Sequence, residues 1–159
     1  MTDHRTPFTI ADEKRTLRDF LDYLRDAITR KATGLTDDDV RRSTVPSGTS
    51  LLGLVKHLTY VETMWFQWSF AGLDVDRPSG DLQSGDTAQS VLAAYRSAIK
   101  RSNEILDHCG DLDQRCARKV SVDEPLSLRW VLVHMVEETA RHAGHADIIR
   151  EQVDGSVGR

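Results

Sequence analysis

Apolar residues recur at helical spacing in four long segments, and polar clusters separate them. The first segment, about 10–33, carries Leu17, Phe20, Leu21, Leu24 and Ile28 on one stripe. Thr9 offers a cap, with Asp12 three residues on and Glu13 near the positive end of the helix dipole. Lys31 and Gly34 supply stop signals. In LTDDDVRR, Thr36 stands three before Asp39, which predicts one short extra turn of helix. The second segment, about 50–71, has Thr49 or Ser50 as its cap and a stripe of Leu51, Leu54, Leu58, Val61, Trp65 and Trp68. The third, about 87–109, starts at Asp86 or Thr87, carries Val91, Leu92, Tyr95, Ile99, Ile105 and Leu106, and ends at Gly110. Ser127 caps the fourth, and Asp154-Gly155 closes it.

The connections read as loops. VPSGTS, 45–50, holds Pro46 and Gly48. Residues 72–86 are rich in Gly, Asp and Ser and are too long for a tight turn, so they form either a lid or a solvated crossing, the latter being the plainer reading. Residues 111–126 make a second long connection in which RCARKVSV suits a short extended piece, with no partner strand evident. Four amphipathic helices without a strand pair predict an all-α antiparallel-type four-helix bundle, with residues 1–159 as a single domain and 1–8 as a loose tail.

The fourth helix departs from a plain packing helix. In WVLVHMVEETARHAGHADIIR, residues Val131, His134, Met135, Glu138, His142, His145 and Ile149 fall within an arc of about 100°. A carboxylate and three imidazoles sit inside that arc, where a helix that only packs would carry Leu or Ala, because unpaired buried polar groups cost several kcal/mol. Glu138 and His142 are four apart, so they leave one face one turn apart. His57 lies in the stripe of the second helix, one turn after Leu54 and one before Val61. His57, Glu138 and His142 thus offer two nitrogens and one oxygen to a metal, with at least one position left open, as in a catalytic zinc site. The same set suits iron or nickel. His134 and His145 flank it as substitute ligands, supporting partners or general bases. The plain alternative is a polar seam satisfied by hydrogen bonds inside the bundle.

Composition narrows the partners. The net charge is −4, and Lys and Arg alternate with Asp and Glu, so no basic stripe marks a nucleic-acid binder. No apolar run approaches the roughly 20 residues of a membrane span, and the polar N-terminus MTDHRTPFTIADEKR has no signal-peptide core, which makes a cytoplasmic protein the expectation. Cys109 and Cys116 follow no zinc or redox spacing and read as semi-buried thiols, with no disulfide expected. Dinucleotide, phosphate-loop, nucleophile-elbow and HExxH motifs are absent.

The segments LLGLVKHLTYVE at 51–62 and HMVEETARHAGHADIIRE at 134–151 resemble the two signature segments of the DinB-like superfamily, most closely the actinobacterial uncharacterised-domain branch related to mycothiol-dependent maleylpyruvate isomerase. The resemblance covers most of the chain, and its second segment is the specific one. It implies a DinB/YfiT-like bundle of up-down-down-up topology. Many members use three histidines, the last two as HxxxH; here Glu138 stands at the first of those two positions, as in the His-Glu-His subset that includes the isomerase. By that match His57, Glu138 and His142 are the metal ligands. The resemblance further implies a divalent metal, zinc first, that activates a low-molecular-weight thiol such as mycothiol or bacillithiol. The isomerase has an additional C-terminal domain, so its substrate and isomerisation are not carried over; relatives often pair as homodimers.

Three functions compete on this reading. One is a metal-dependent thiol S-transferase acting on a small-molecule electrophile, with Arg141 or residues of 72–86 steering an anionic group. The second is a metal-dependent hydrolase with His145 or His134 as base. The third is a non-catalytic metal-binding stress-response bundle. No nucleic-acid or membrane partner is expected.

Overall fold

A computed structural model describes residues 6–7, 10–121 and 123–157. Helix α1 spans Glu13–Lys31, α2 Asp37–Arg41 and α3 Leu51–Glu62; α3 runs directly into a π-helical segment, Thr63–Phe70. Helix α4 spans Ala88–His108 and α5 Leu128–Asp154. The caps follow from side-chain oxygens that accept otherwise orphaned N–H groups. Thr36, Ser50, Thr87 and Ser127 each accept from the backbone three residues on, and Thr87 and Ser90 close a reciprocal capping box. α1 is capped by Asp12, which accepts from the Arg15 N–H at 2.8 Å. The expected cap at Thr9 therefore gives way to Asp12; Thr9 itself, like most of the expected tail, lies outside the described residues. Gly155 ends α5 in the left-handed conformation, with φ 76°.

Contacts between helix ends fix the topology. Arg129 at the start of α5 pairs with Glu13 at the start of α1, and Lys31 at the end of α1 pairs with Asp147 near the end of α5, so these helices run parallel. α4 runs against α1, since Arg18 meets Asp107 and Arg25 meets Asn103. α3 also opposes α1, through Arg25 and Glu62, and opposes α5, through His57 and Glu138. The order is up-down-down-up, with α3 and α4 parallel to one another. All regular structure among the described residues is helical.

Two apolar clusters fill the bundle. One joins Ile28, Leu52, Leu58, Leu92 and Ile149; the other joins Leu21, Phe66, Leu106, Leu132 and Met135. Where α3 becomes π-helical, the expected stripe shifts. Phe66 and Phe70 are buried instead of Trp65 and Trp68, because the first apolar step after Val61 is five residues rather than four. Trp68 lies instead between two guanidinium groups, Arg77 at 4.9 Å and Arg118 at 5.1 Å from its ring centre.

The α1 core stripe contains a charge. Arg25 is 2% exposed and Glu62 fully buried, and they form a two-bond fork: Nε to Oε1 and Nη2 to Oε2, each 2.7 Å. Nη1 of Arg25 donates to Asp22 at 2.7 Å and Asn103 at 2.9 Å. Burial opposes the guanidinium charge, but Glu62 and Asp22 outweigh it and hold Arg25 above its ordinary pKa.

The connection 111–126 does find a partner: Arg115 bridges to Ser127, and the Cys116 N–H donates to Leu126 O at 2.8 Å. Its other edge is sewn to the end of the π segment by Ala117 N–H to Phe70 O and Arg118 N–H to Ser69 O. Gly72 turns there with φ +66°, and a Cβ at Gly72 would stand 2.8 Å from that of Ala117. Gly72→Ala is therefore expected to lower stability by about 1–2 kcal/mol through the left-handed backbone alone, more with the clash. Thermal unfolding should show Tm down by about 2–8 °C. No described helix is long and apolar enough to cross a membrane.

Candidate metal centre

α5 buries Leu128, Val131, Leu132, Met135, Thr139, Ala143, Ala146 and Ile149. The centre of the buried face is thus apolar or small, and Glu138 and His142 ride on its edge rather than in its middle as expected. That edge meets α3 at His57. The side chains of Glu138 and His142 are 12% and 15% exposed and that of His57 is 39% exposed, so the group is covered on the protein side and open on the other.

The two imidazoles converge on one oxygen. His57 Nε2 lies 3.0 Å and His142 Nε2 3.1 Å from Glu138 Oε1. One donor atom from each of the three residues lies within 4.8 Å of the others. The rings meet edge to face, with centres 4.9 Å apart. Burial works against ionisation of Glu138, but hydrogen bonds from His57 and His142 and the charge His142 carries when protonated overcome it and hold the carboxyl below the usual range. Burial pushes the His142 pKa down, against the pull of Glu138, so its neutral form is favoured. A neutral nitrogen and an ionised oxygen are the states a metal requires.

The donor set fits a divalent ion. Ligands at about 2.0–2.2 Å around a tetrahedral ion stand about 3.4 Å apart, close to the two nitrogen-to-oxygen spacings here. His142 Nδ1 is buried and has no hydrogen-bond partner among the described residues, so the proton it carries when Nε2 binds a metal is left without an acceptor, a cost the metal–nitrogen bond has to exceed.

His134 and His145 part company with this group. His134 stacks on Trp130 at 5.0 Å and meets Trp65 edge-on at 4.9 Å, a turn away toward the start of α5. His145 is exposed and lies beside His142, ring centres 5.6 Å apart. Arg141 pairs with Glu137 and stands 3.6 Å from the second oxygen of Glu138.

The loop 72–86 is a wall rather than a free crossing. A Cβ on Gly80 would lie 3.7 Å from both His57 Nδ1 and Tyr60, so the backbone passes directly over the face of α3 that carries His57. Lys56 and Arg41 pin the loop through Asp86. Between this loop and VPSGTS lies a cavity of about 310 Å³ bordered by His57, Ser47, Thr49, Ser50 and Asp81. A second cavity, about 280 Å³, lies on the other side of VPSGTS, against His145 and Ile148. Ser47 and Thr49 border both. In the sequence VPSGTS reads as a loop that caps the second helix, and its three hydroxyl residues in six are the signal that it could also line a polar site.

Comparison with known proteins supplies the relatives. The sequence model of the family described as Mycothiol-S-transferase matches residues 16–155. Among solved structures, the chain resembles the "conserved protein of locus from Enterococcus faecalis", with a TM-score of 0.66 at 15% identity, over 92% of this chain and 99% of that one. That likeness establishes the fold. No curated protein matches the sequence.

Proposed function

The chain belongs to the mycothiol-S-transferase family, and from that premise we propose that it joins a low-molecular-weight thiol of the mycothiol class to an electrophile at a divalent metal held by His57, Glu138 and His142. The observation that carries this reading is the convergence of two imidazole nitrogens on one carboxylate oxygen at the rim of the bundle. The ion, zinc by ligand type, would supply a positive charge that makes the thiol ionise at neutral pH.

The protein's own groups do the rest. Glu138 provides the negative charge of the ligand set, and Arg141 acts through it by engaging Oε2, which leaves Oε1 to face the imidazoles. The hydroxyls of Ser47, Thr49 and Ser50 and the carboxylate of Asp81 border the cavity next to His57. They suit the polar body of a hydroxyl-rich thiol, with its sulfur directed at the three ligands. His145, exposed beside His142, is the nearest free imidazole for a proton leaving the thiol. His134, held between two indoles, is given no step.

The pH dependence of metal binding follows from the same groups. Glu138 is held below the carboxylate range, so it is still ionised when His142 begins to protonate. His142 is depressed below 6.5, so protons displace the metal only below that value. Affinity should hold from pH 8 to about 6.5 and fall progressively below it. Zinc titrations that stay flat down to pH 5 would exclude histidine ligation.

A further inference from the structure

The second cavity lies next to the candidate metal centre but differs from the first in character. Its walls include Val45, Ile148 and Ile149, and no Lys, Arg, Asp or Glu among the described residues borders it. His145 forms one edge, and the His145 ring lies 5.6 Å from that of His142. An occupant of this cavity is therefore one side chain away from the ligand group. Ile148, six residues before the end of α5, borders the cavity and is 56% exposed. A dry cavity of about 150 Å³ holds benzene, so 280 Å³ accommodates a substituted single ring.

The geometry points to this cavity as the electrophile site, selecting uncharged electrophiles with a small apolar or aromatic body, while the polar cavity beside His57 receives the thiol. This inference rests on the proposed thiol transfer and adds its substrate class. An anionic electrophile is disfavoured, because among the described residues no Lys or Arg borders the cavity to replace the water its charge would lose, and His145 is neutral until it takes the thiol proton. For an activated aryl halide the thiol sulfur forms a bond to the ring carbon. The carbon–halogen bond breaks, the halide leaves with that electron pair, and the thiol proton passes to His145 and from there to solvent. The shared Ser47–Thr49 wall, whose hydroxyls are 2.9 Å apart, places the two occupants on either side of one turn.

The test uses the full chain as purified, with chlorobenzene as an unreactive probe and methyl NMR as the readout. Chlorobenzene should shift the methyls of Val45, Ile148 and Ile149, and benzoate should not. Ile148→Asp, at an exposed position, should weaken that binding by about tenfold. Val133→Asp, at another exposed apolar position of α5, should leave it intact. Shifts that centre on Trp130 and Val133, that survive Ile148→Asp unchanged, or that benzoate reproduces would overturn the assignment. Failure of the thiol reading is read separately, from the spectrum of the cobalt-substituted protein with thiol. A thiol band without chlorobenzene shifts would sink this inference alone.

Discussion

Glu62→Gln and Arg25→Met each lower the stability of the bundle by about 3–5 kcal/mol, the largest loss expected from any single core change here. Each breaks the buried fork: Glu62 is fully enclosed and loses its counter-charge, and Arg25, 2% exposed, keeps only Asp22 and Asn103 on its third nitrogen. The two bonds between them, at 2.7 Å, lie out of contact with bulk solvent. Tyr95 sharpens the effect. Its hydroxyl is buried without a hydrogen-bond partner among the described residues, and burial, then the charge of Glu62, keeps it un-ionised, so it cannot substitute as a counter-charge. Urea unfolding should give the loss directly, with Tm down on the order of 10 °C. The double change Arg25→Met with Glu62→Leu should recover most of it, because an apolar pair of similar volume removes both desolvation costs. Loss of less than 1 kcal/mol in the single variants would mean that the pair is hydrated in solution.

The second large effect is on metal affinity. His57→Ala and His142→Ala should each weaken zinc binding more than the roughly hundredfold seen when only a supporting partner of a ligand is lost. Glu138→Gln keeps the shape but removes the negative charge, so it should also release most of the metal. The metal-free fold should survive all three, since the group sits at the rim and His57 is 39% exposed. Elemental analysis after dialysis, with circular dichroism as the control, separates ligand loss from unfolding. Unchanged metal content in both histidine variants would remove these residues as ligands. His134→Ala, by contrast, should retain the metal, because that ring is held by Trp65 and Trp130.

The contrast between His134 and His142 shows what the sequence could and could not convey. Helical spacing put Glu138 and His142 on one face and His57 on a stripe, and two facing stripes were enough to bring the three together. The same spacing put His134 on that face too. What removed it was an aromatic pair four residues earlier on its own helix and on the π segment of another, a packing choice among several available rings. The π segment itself was hidden for a similar reason. Val61, Trp65 and Trp68 satisfy the ordinary helical period as well as Val61, Phe66 and Phe70 satisfy the wider one. Only burial of the phenylalanines decides between them.

Four of the five helix caps were legible because a Ser or Thr hydroxyl at the right offset leaves a local mark. Arg25 left none, since its partner lies 37 positions away and a charge on an apolar stripe reads as an interruption until the other half is found. The long loop was read as a solvated crossing because its composition is polar. Its role as a wall depends on Gly80 approaching His57, which requires the tertiary fold.

The most direct test of the central claim is the visible spectrum of the cobalt-substituted protein on addition of a small thiol. If His57, Glu138 and His142 hold a metal with a position open to sulfur, the thiol should produce a sulfur-to-cobalt charge-transfer band. It should also release a proton, and both signals should vanish in His57→Ala. A cobalt spectrum that thiol leaves unchanged, in a protein that holds one cobalt per chain, would contradict thiol activation at this centre.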